Sequence, residues 1–265
     1  MRSSTAGNYL VPVGGRRCRA ERFAPSPELS SVISHFWLAH WDLRGQSPFL
    51  FENLPSPNVF ALIDASGANV HGVMTGKYSR LLEGRGRSFG VTFRPGAFYP
   101  YLKAPVSSIR NATVPIRDVF NVDFERIGYD AVRDGNAQRA IQRVEALIFD
   151  LQPKRDEAVL RAAAMVDHVR THGDVARVGQ LADDFGVKQR TLERVFDRYV
   201  GVSAKWTIKY YRLLSAAERI VSATFDKWPA LAADLGYFDQ AHFINDFRAV
   251  VGASPAEFAK RFASP

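Results

Sequence analysis

The sequence predicts an α+β chain: an N-terminal antiparallel β sandwich or small barrel, a helical connector, and a C-terminal all-α unit made of two helix-turn-helix modules. Three observations carry this. A motif between Gly179 and Phe258 is written twice, with Leu181-Ala182 returning as Leu231-Ala232 and the turn glycine Gly186 as Gly236. Short aromatic and β-branched runs, bounded by Gly, fill residues 34–98, and strands punctuated in this way build sandwiches and barrels. Between these regions apolar residues recur at helical spacing.

Taken in order, residues 1–30 mix Arg, Gly, Ser and Pro with little periodicity and read as a partly ordered arm or a first edge strand. His35–Trp41, Asn58–Asp64, Asn69–Thr75, Lys77–Leu82 and Arg87–Phe93 are the strand candidates. Leu54–Asn58 is a rigid extended lead-in, because Pro55 and Pro57 each restrict themselves and the residue before. Phe93-Arg94-Pro95-Gly96-Ala97-Phe98 marks the exit from the sheet. From Phe124 the texture turns helical. Ile141, Val144, Leu147, Ile148 and Leu151 form one stripe, and Val159, Ala163, Val166 and Val169 form another after Pro153. Such helices either pack on their own barrel or pair with a second copy, and the pattern leaves both open.

Gly173-Asp174 opens the duplicated region. In each copy a short helix carries Leu-Ala, a Gly able to turn left-handed ends it, and a second helix follows. Leu192, Val195, Phe196 and Tyr199 make the inward stripe of the first second-helix; Phe243, Phe247 and Val250 make that of the other, with Asp239 as its N-cap. The closing Gly201-Val202-Ser203 returns as Gly252-Ala253-Ser254, a spacing of 51 rather than 50, so the second copy holds one extra residue before its Phe. Ser203 can cap a long helix reaching about Phe225, with Leu213, Leu214, Ala217, Ile220 and Val221 on one face. The resulting division is 1–122, 123–173 and 174–265.

Composition narrows the function. The net charge is +8, with 18 Lys/Arg against 13 Asp/Glu in residues 1–150 and 13 against 10 in 175–265. The basic excess is spread over both halves, so charge alone is a weak pointer to nucleic acid. The single cysteine, Cys18, excludes an internal disulfide and fits a reducing compartment; its basic setting would lower its thiol pKa, whereas a lone Cys with no partner is more often inert. No apolar run is long enough for a membrane span and no signal peptide is evident, so a cytoplasmic protein without membrane contact is expected. His35, His40 and His71 stand apart and no His-x-His pair occurs, so no metal and no cofactor are expected.

Leu181-Ala182, Phe185-Gly186-Val187, Arg190-Thr191-Leu192, Arg194, Phe196, Gly201-Val202-Ser203, Arg212-Leu213, Leu231-Ala232, Leu235-Gly236-Tyr237, Asp239-Gln240, His242-Phe243, Phe247 and Ser254-Pro255 together resemble the AraC-type transcription regulators. Their DNA-binding unit is two helix-turn-helix modules joined by a long helix. Lys188 departs from the family's capping Ser, and Ala204 from its Pro. Leu54-Pro55-Ser56-Pro57-Asn58, Gly90–Phe98 and Val119-Phe120 resemble the cupin-like sensor domains that precede some such readers.

The resemblance implies a sequence-specific DNA-binding transcription regulator, ligand-responsive, reading two adjacent major-groove segments. Base contacts would come from Gln189, Arg190, Glu193 and Arg194, then from Gln240, Ala241, Ile244 and Asn245. Arginine suits guanine, Gln or Asn suits adenine, and an aliphatic side chain suits the thymine methyl. Arg198, Lys205, Lys209, Lys227 and Arg248 would hold phosphates. The implied partners are double-stranded DNA, a small-molecule effector, RNA polymerase and a second copy of the chain. A non-metal effector pocket would be lined by Trp37, Trp41, Phe60, His71, Arg94, Tyr99 and Tyr101, with Arg94 forking an anion. The alternative is a cupin-type small-molecule enzyme with an accessory DNA-binding domain.

Overall fold

A computed structural model describes residues 17–122, 128, 131–151, 156–173, 175–222 and 228–262. Eight strands are present among them: β1 Cys18–Phe23, β2 Ile33–Asp42, β3 Phe49–Asn53, β4 Phe60–Asp64, β5 Gly67–His71, β6 Tyr78–Leu82, β7 Arg85–Phe93 and β8 Thr113–Pro115. Six form one antiparallel sheet in the order β1-β2-β7-β4-β5-β8, and β3 pairs with β6 in a second sheet. The N-terminal edge strand is β1. Neither β3 nor β8 was anticipated: Pro48 obscures the start of β3, and β8, at three residues, is too short to show a period.

Because side chains alternate across a strand, register sorts the large sheet into two faces. Phe36, Val91, Ala61 and Val70 lie in one row, and Leu38, Phe89, Ile63 and Ala68 in the next; all are buried. This face meets the short helix α1 (Tyr99–Leu102), α2 (Ile116–Phe120) and α3 (Ala137–Asp150) in one apolar core. Ile141, Val144 and Ile148 of α3 enter it, each burial stabilising by about 1.5–3 kcal/mol. Glu145 of α3 also accepts the Ser26 amide at 2.6 Å. In α4 (Glu157–Thr171) the buried residues are Ala162, Met165, Val166 and Val169, while Val159 and Ala163 are half-buried. The backbone of Ala162-Ala163 rests on Gly96, where a Cβ would come within 3.1 Å of the Ala163 nitrogen. The buried residues of both connector stripes are thus covered by their own chain.

The C-terminal part comprises α5 (Val178–Asp184), α6 (Gln189–Val195) running into a wider π turn over Phe196–Val200, α7 (Ala204–Ser222), α8 (Trp228–Asp234), α9 (Gln240–Val251) and α10 (Pro255–Phe262). Asp174, Phe225 and Lys227 lie outside the described residues. Ser203 caps α7 by accepting the Trp206 amide at 3.1 Å. Apolar burial divides within α7. Leu181, Leu192, Phe196, Val200, Ala204 and Ile208 belong to the same core as the sheet, whereas Tyr210, Leu213, Ile220, Phe243, Phe247 and Phe258 form a separate one.

Candidate nucleic-acid interface

The two modules repeat each other bond for bond at their turns. Gly186 and Gly236, both at positive φ, donate to Asp183 and Ala233; Val187 and Tyr237 donate to Ala182 and Ala232, each at 2.9 Å. In α9 the carboxylate of Asp239 accepts the His242 amide at 2.7 Å, an N-cap of the expected kind. Lys188 occupies the same place on α6 and makes no side-chain cap.

Leu192 and Phe196 are buried in the first module, Phe243 and Phe247 in the second, each 0% exposed. Helical geometry then leaves Gln189, Arg190 and Arg194 exposed on α6, and Gln240, Ala241 and Asn245 exposed on α9. No ion pair joins Glu193 to Arg190 or Arg194 among the described residues. Two expected base-reading residues stand differently. Glu193 is half-buried and lines a cleft beside Thr75, Arg110 and Trp206. Ile244 is half-buried and packs against the second core. Both face sideways, because each sits one position after a buried residue. The Gln189 amide lies over Gly179 of α5.

Among the expected phosphate contacts, Lys205 and Arg248 are exposed. Lys209 instead pairs with Asp246 at 3.1 Å, tying α7 to α9. Arg198 is held by its own chain: its guanidinium donates to the Tyr99 hydroxyl and stacks over the rings of Tyr99 and Tyr199 at 4.9 and 5.8 Å. Lys227 is outside the described residues.

That contact is one of several between the sheet domain and the first module. The Arg110 Nε donates to the Gly201 carbonyl at 2.6 Å and its Nη2 pairs with Asp197 at 3.4 Å. Tyr99 packs edge-on against Tyr199 at 4.7 Å. Between them lies a cleft of about 310 Å³ lined by Thr75, Arg110, Glu193, Asp197, Val202, Ser203 and Trp206. Nothing in the sequence pattern marked Arg110, since its partners lie 87 and 91 residues away.

The expected effector residues divide. Trp37, Trp41, Phe60 and His71 share the second face of the large sheet, opposite β3 and β6. Gly90 and Gly86 of β7 lie beneath the indoles of Trp37 and Trp41, where a Cβ would meet ring atoms at 2.0 and 2.3 Å. The Trp41 indole donates to the Glu83 carbonyl at 3.1 Å. His71 stacks on Phe60 at 4.5 Å, its Nδ1 lies 3.0 Å from the Thr113 hydroxyl, and its Nε2 is buried without a partner. Burial, followed by the charge of Arg80, lowers its pKa to about 4. The other three expected residues are not on this face. Arg94 donates to the Ser30 carbonyl. Tyr99 is turned to Arg198. Tyr101 packs with Phe93, Phe98 and Phe120 in the opposite core, where burial pushes its hydroxyl up to about 12. A one-residue change in strand position reverses the face, and α1 lies beyond the sheet altogether.

What the sequence pattern did not disclose is a polar centre between the sheets. Asp64, 2% exposed, pairs with Arg80, whose guanidinium also reaches Ser88 at 3.4 Å and lies 5.7 Å from the Trp41 ring. The available signal was Arg80 at an inward position of an alternating strand. Among the described residues no three His, Cys, Asp or Glu are grouped to hold a metal ion, and no helix is long and apolar enough to cross a membrane. Cys18 is half-buried, and burial raises its thiol pKa, which overturns the lowered value that its basic neighbours suggest.

Residues 181–261 match the family described as a helix-turn-helix domain, and residues 21–115 match a domain of unknown function, DUF6597. No curated protein matches the chain. Among solved structures, ToxT from Vibrio cholerae O395 is similar at 12% identity over 94% of this chain and 98% of that one, with a TM-score of 0.39. The AraC-like transcriptional activator CuxR is similar at 14% identity over 77% of this chain and 88% of its own, with a TM-score of 0.23.

Proposed function

We infer that the chain, whose residues 181–261 match a helix-turn-helix domain, is an AraC-type DNA-binding transcription regulator, and that α6 and α9 enter successive major grooves on one face of a duplex. The observation that carries this reading is the repetition of one turn geometry in both modules, with Arg190 and Arg194 exposed on one helix and Gln240, Ala241 and Asn245 on the other. Arg190 and Arg194 read guanine, Gln240 and Asn245 read adenine, and Ala241 meets a thymine methyl. Gln189 reads a base after swinging off Gly179, while Glu193 and Ile244 brace their helices at the groove edge. Lys205 and Arg248 hold phosphates, joined by Arg198 once Tyr99 releases it.

Residues 1–122 serve as the sensor, 123–173 as the connector and 174–265 as the reader. A small-molecule effector lies between the two sheets, on Trp37 and Trp41, with a polar group toward the unpartnered Nε2 of His71. Its signal passes to the first module through Arg110 and Tyr99, which already grip the π turn that follows α6. A homodimer would form on surface other than the buried stripes of α3 and α4, and RNA polymerase is met while the protein sits on DNA. The test is selection of DNA from a random pool by the purified chain and by Arg194→Ala and Asn245→Ala. Each variant should lose preference at one or two positions, in different halves of a bipartite site. Unchanged preference in both variants would remove the assignment of the reading faces.

A further inference from the structure

The two modules differ in length by one residue, and the structure locates it. Up to the turn the copies keep a spacing of 50: Gly186 with Gly236, then Val187 with Tyr237, each pair making equivalent hydrogen bonds. From the second helix onward the spacing is 51: the N-caps Lys188 and Asp239, the buried Leu192 and Phe243, and the left-handed Gly201 and Gly252. The inserted residue is therefore Phe238.

Its ring is wholly in solvent, with a relative exposure of 102%, whereas Tyr237, Phe243, Phe247 and Phe258 of the same module are buried. A large apolar residue just before an N-cap ordinarily folds back onto the fourth residue of the helix. That residue is Phe243, which lies in the core at 0% exposure with Tyr237 and Phe247 against it and leaves no place for a further ring. Phe238 stands instead beside Asp239, Gln240 and Ala241, all exposed at the start of α9. It is placed at the end of the helix that a helix-turn-helix protein presents to base edges.

We propose that Phe238 is a specificity-determining residue that meets the C5-methyl group of a thymine at the edge of the second module's half-site. The proposal rests on the DNA-reading function given above. Apolar side chains read thymine by this methyl group, which no other base of DNA displays in the major groove. The first module has no residue at this position, so the contact makes the two halves of the site unequal and fixes the protein's orientation on it. Asp239, the adjoining residue, argues against a phosphate at the same spot, since its carboxylate is exposed there.

The experiment uses the full chain and its Phe238→Ala and Phe238→Leu variants. DNA selected by the wild-type protein is measured by fluorescence anisotropy, with each thymine of the site replaced in turn by deoxyuracil, which lacks only the methyl. One replacement in the second half should weaken wild-type binding a few-fold and leave Phe238→Ala unaffected. Phe238→Ala should bind the intact site about tenfold more weakly, with Phe238→Leu between them. Wild-type binding indifferent to every deoxyuracil overturns the proposal without recourse to a variant. So does Phe238→Ala that selects the same site with the same affinity. A fall in promoter activity under that condition would put the ring against RNA polymerase instead. A wild-type protein that selects no sequence sinks the DNA-reading function and this contact together. Selection of a bipartite site upholds the function, and the deoxyuracil series on that site then decides for or against Phe238.

Discussion

Gly201 and Gly252 hold the same place in the two modules, and alanine there should have unequal effects. Both lie at positive φ, +91° and +81°, where a Cβ costs about 1–2 kcal/mol. At Gly201 the new Cβ would also meet Val106 Cγ1 at 2.8 Å and the Val106 carbonyl carbon and oxygen at 3.2 Å. Backbone cannot turn aside as a side chain can, so overpacking adds about 1–3 kcal/mol. At Gly252 the only close atom among the described residues is Leu54 Cδ2, at 2.8 Å, the far end of a flexible side chain. Gly201→Ala should therefore destabilise by about 2–5 kcal/mol and Gly252→Ala by about 1–2 kcal/mol. Urea denaturation followed by circular dichroism measures both. The backbone strain is common to the pair and cancels in the comparison, leaving the docking of the first module on Val106. Equal shifts in midpoint at equal slope would refute that docking.

Other perturbations test the remaining parts. Lys188→Ser supplies the cap that α6 lacks and should stabilise by about 0.5–1 kcal/mol, while Asp239→Ala should cost about 1 kcal/mol; thermal melts decide both. Arg80→Ala leaves the Asp64 carboxylate buried without its cation, though still accepting from the Ser66 amide and hydroxyl, and should cost about 3–5 kcal/mol, whereas Arg80→Met with Asp64→Leu should recover most of it, as read from denaturation midpoints. His71 and His35 are both neutral in the fold, with pKa values lowered to about 4, in each case by burial first and by a neighbouring arginine second. The unfolded chain binds their protons near pH 6.5, so stability falls as pH drops from about 6.5 to 4, by about 3 kcal/mol for each, and levels off below. Replacing His71 by Phe should flatten that slope by the share of one histidine, and an unchanged slope would show that His71 is not the group responsible.

Sequence pattern alone succeeded where periodicity or repetition carried the information. The doubled Leu-Ala and Gly spacing placed both modules. Aromatic and apolar runs placed β2 and β4, and glycine boundaries placed β5 to β7. Pattern failed where the answer depended on which strand lies beside which. Trp37 and Phe36 differ by one position yet face opposite layers, and the bulge between Ile33 and His35 resets the alternation. Tyr99 and Arg94 looked like pocket residues because they follow the last long strand closely, but the chain turns away from the sandwich at Gly96. Asp64 sat in an apolar run and gave no hint of its partner Arg80, sixteen positions on. Arg198 read as a free cation because nothing in its own helix announces Tyr99.

The helix α7 has its first turns in one core and its last in the other, with no break between Ile208 and Tyr210. Its nineteen residues make a rod about 28 Å long. A stiff rod clamped at one end acts as a lever: a tilt of about 10° at Ala204 carries the far end through about 5 Å, more than the rise between neighbouring base pairs. Small displacements where Arg110 grips the first module would thus arrive at α9 magnified, as a change in the distance and angle between α6 and α9.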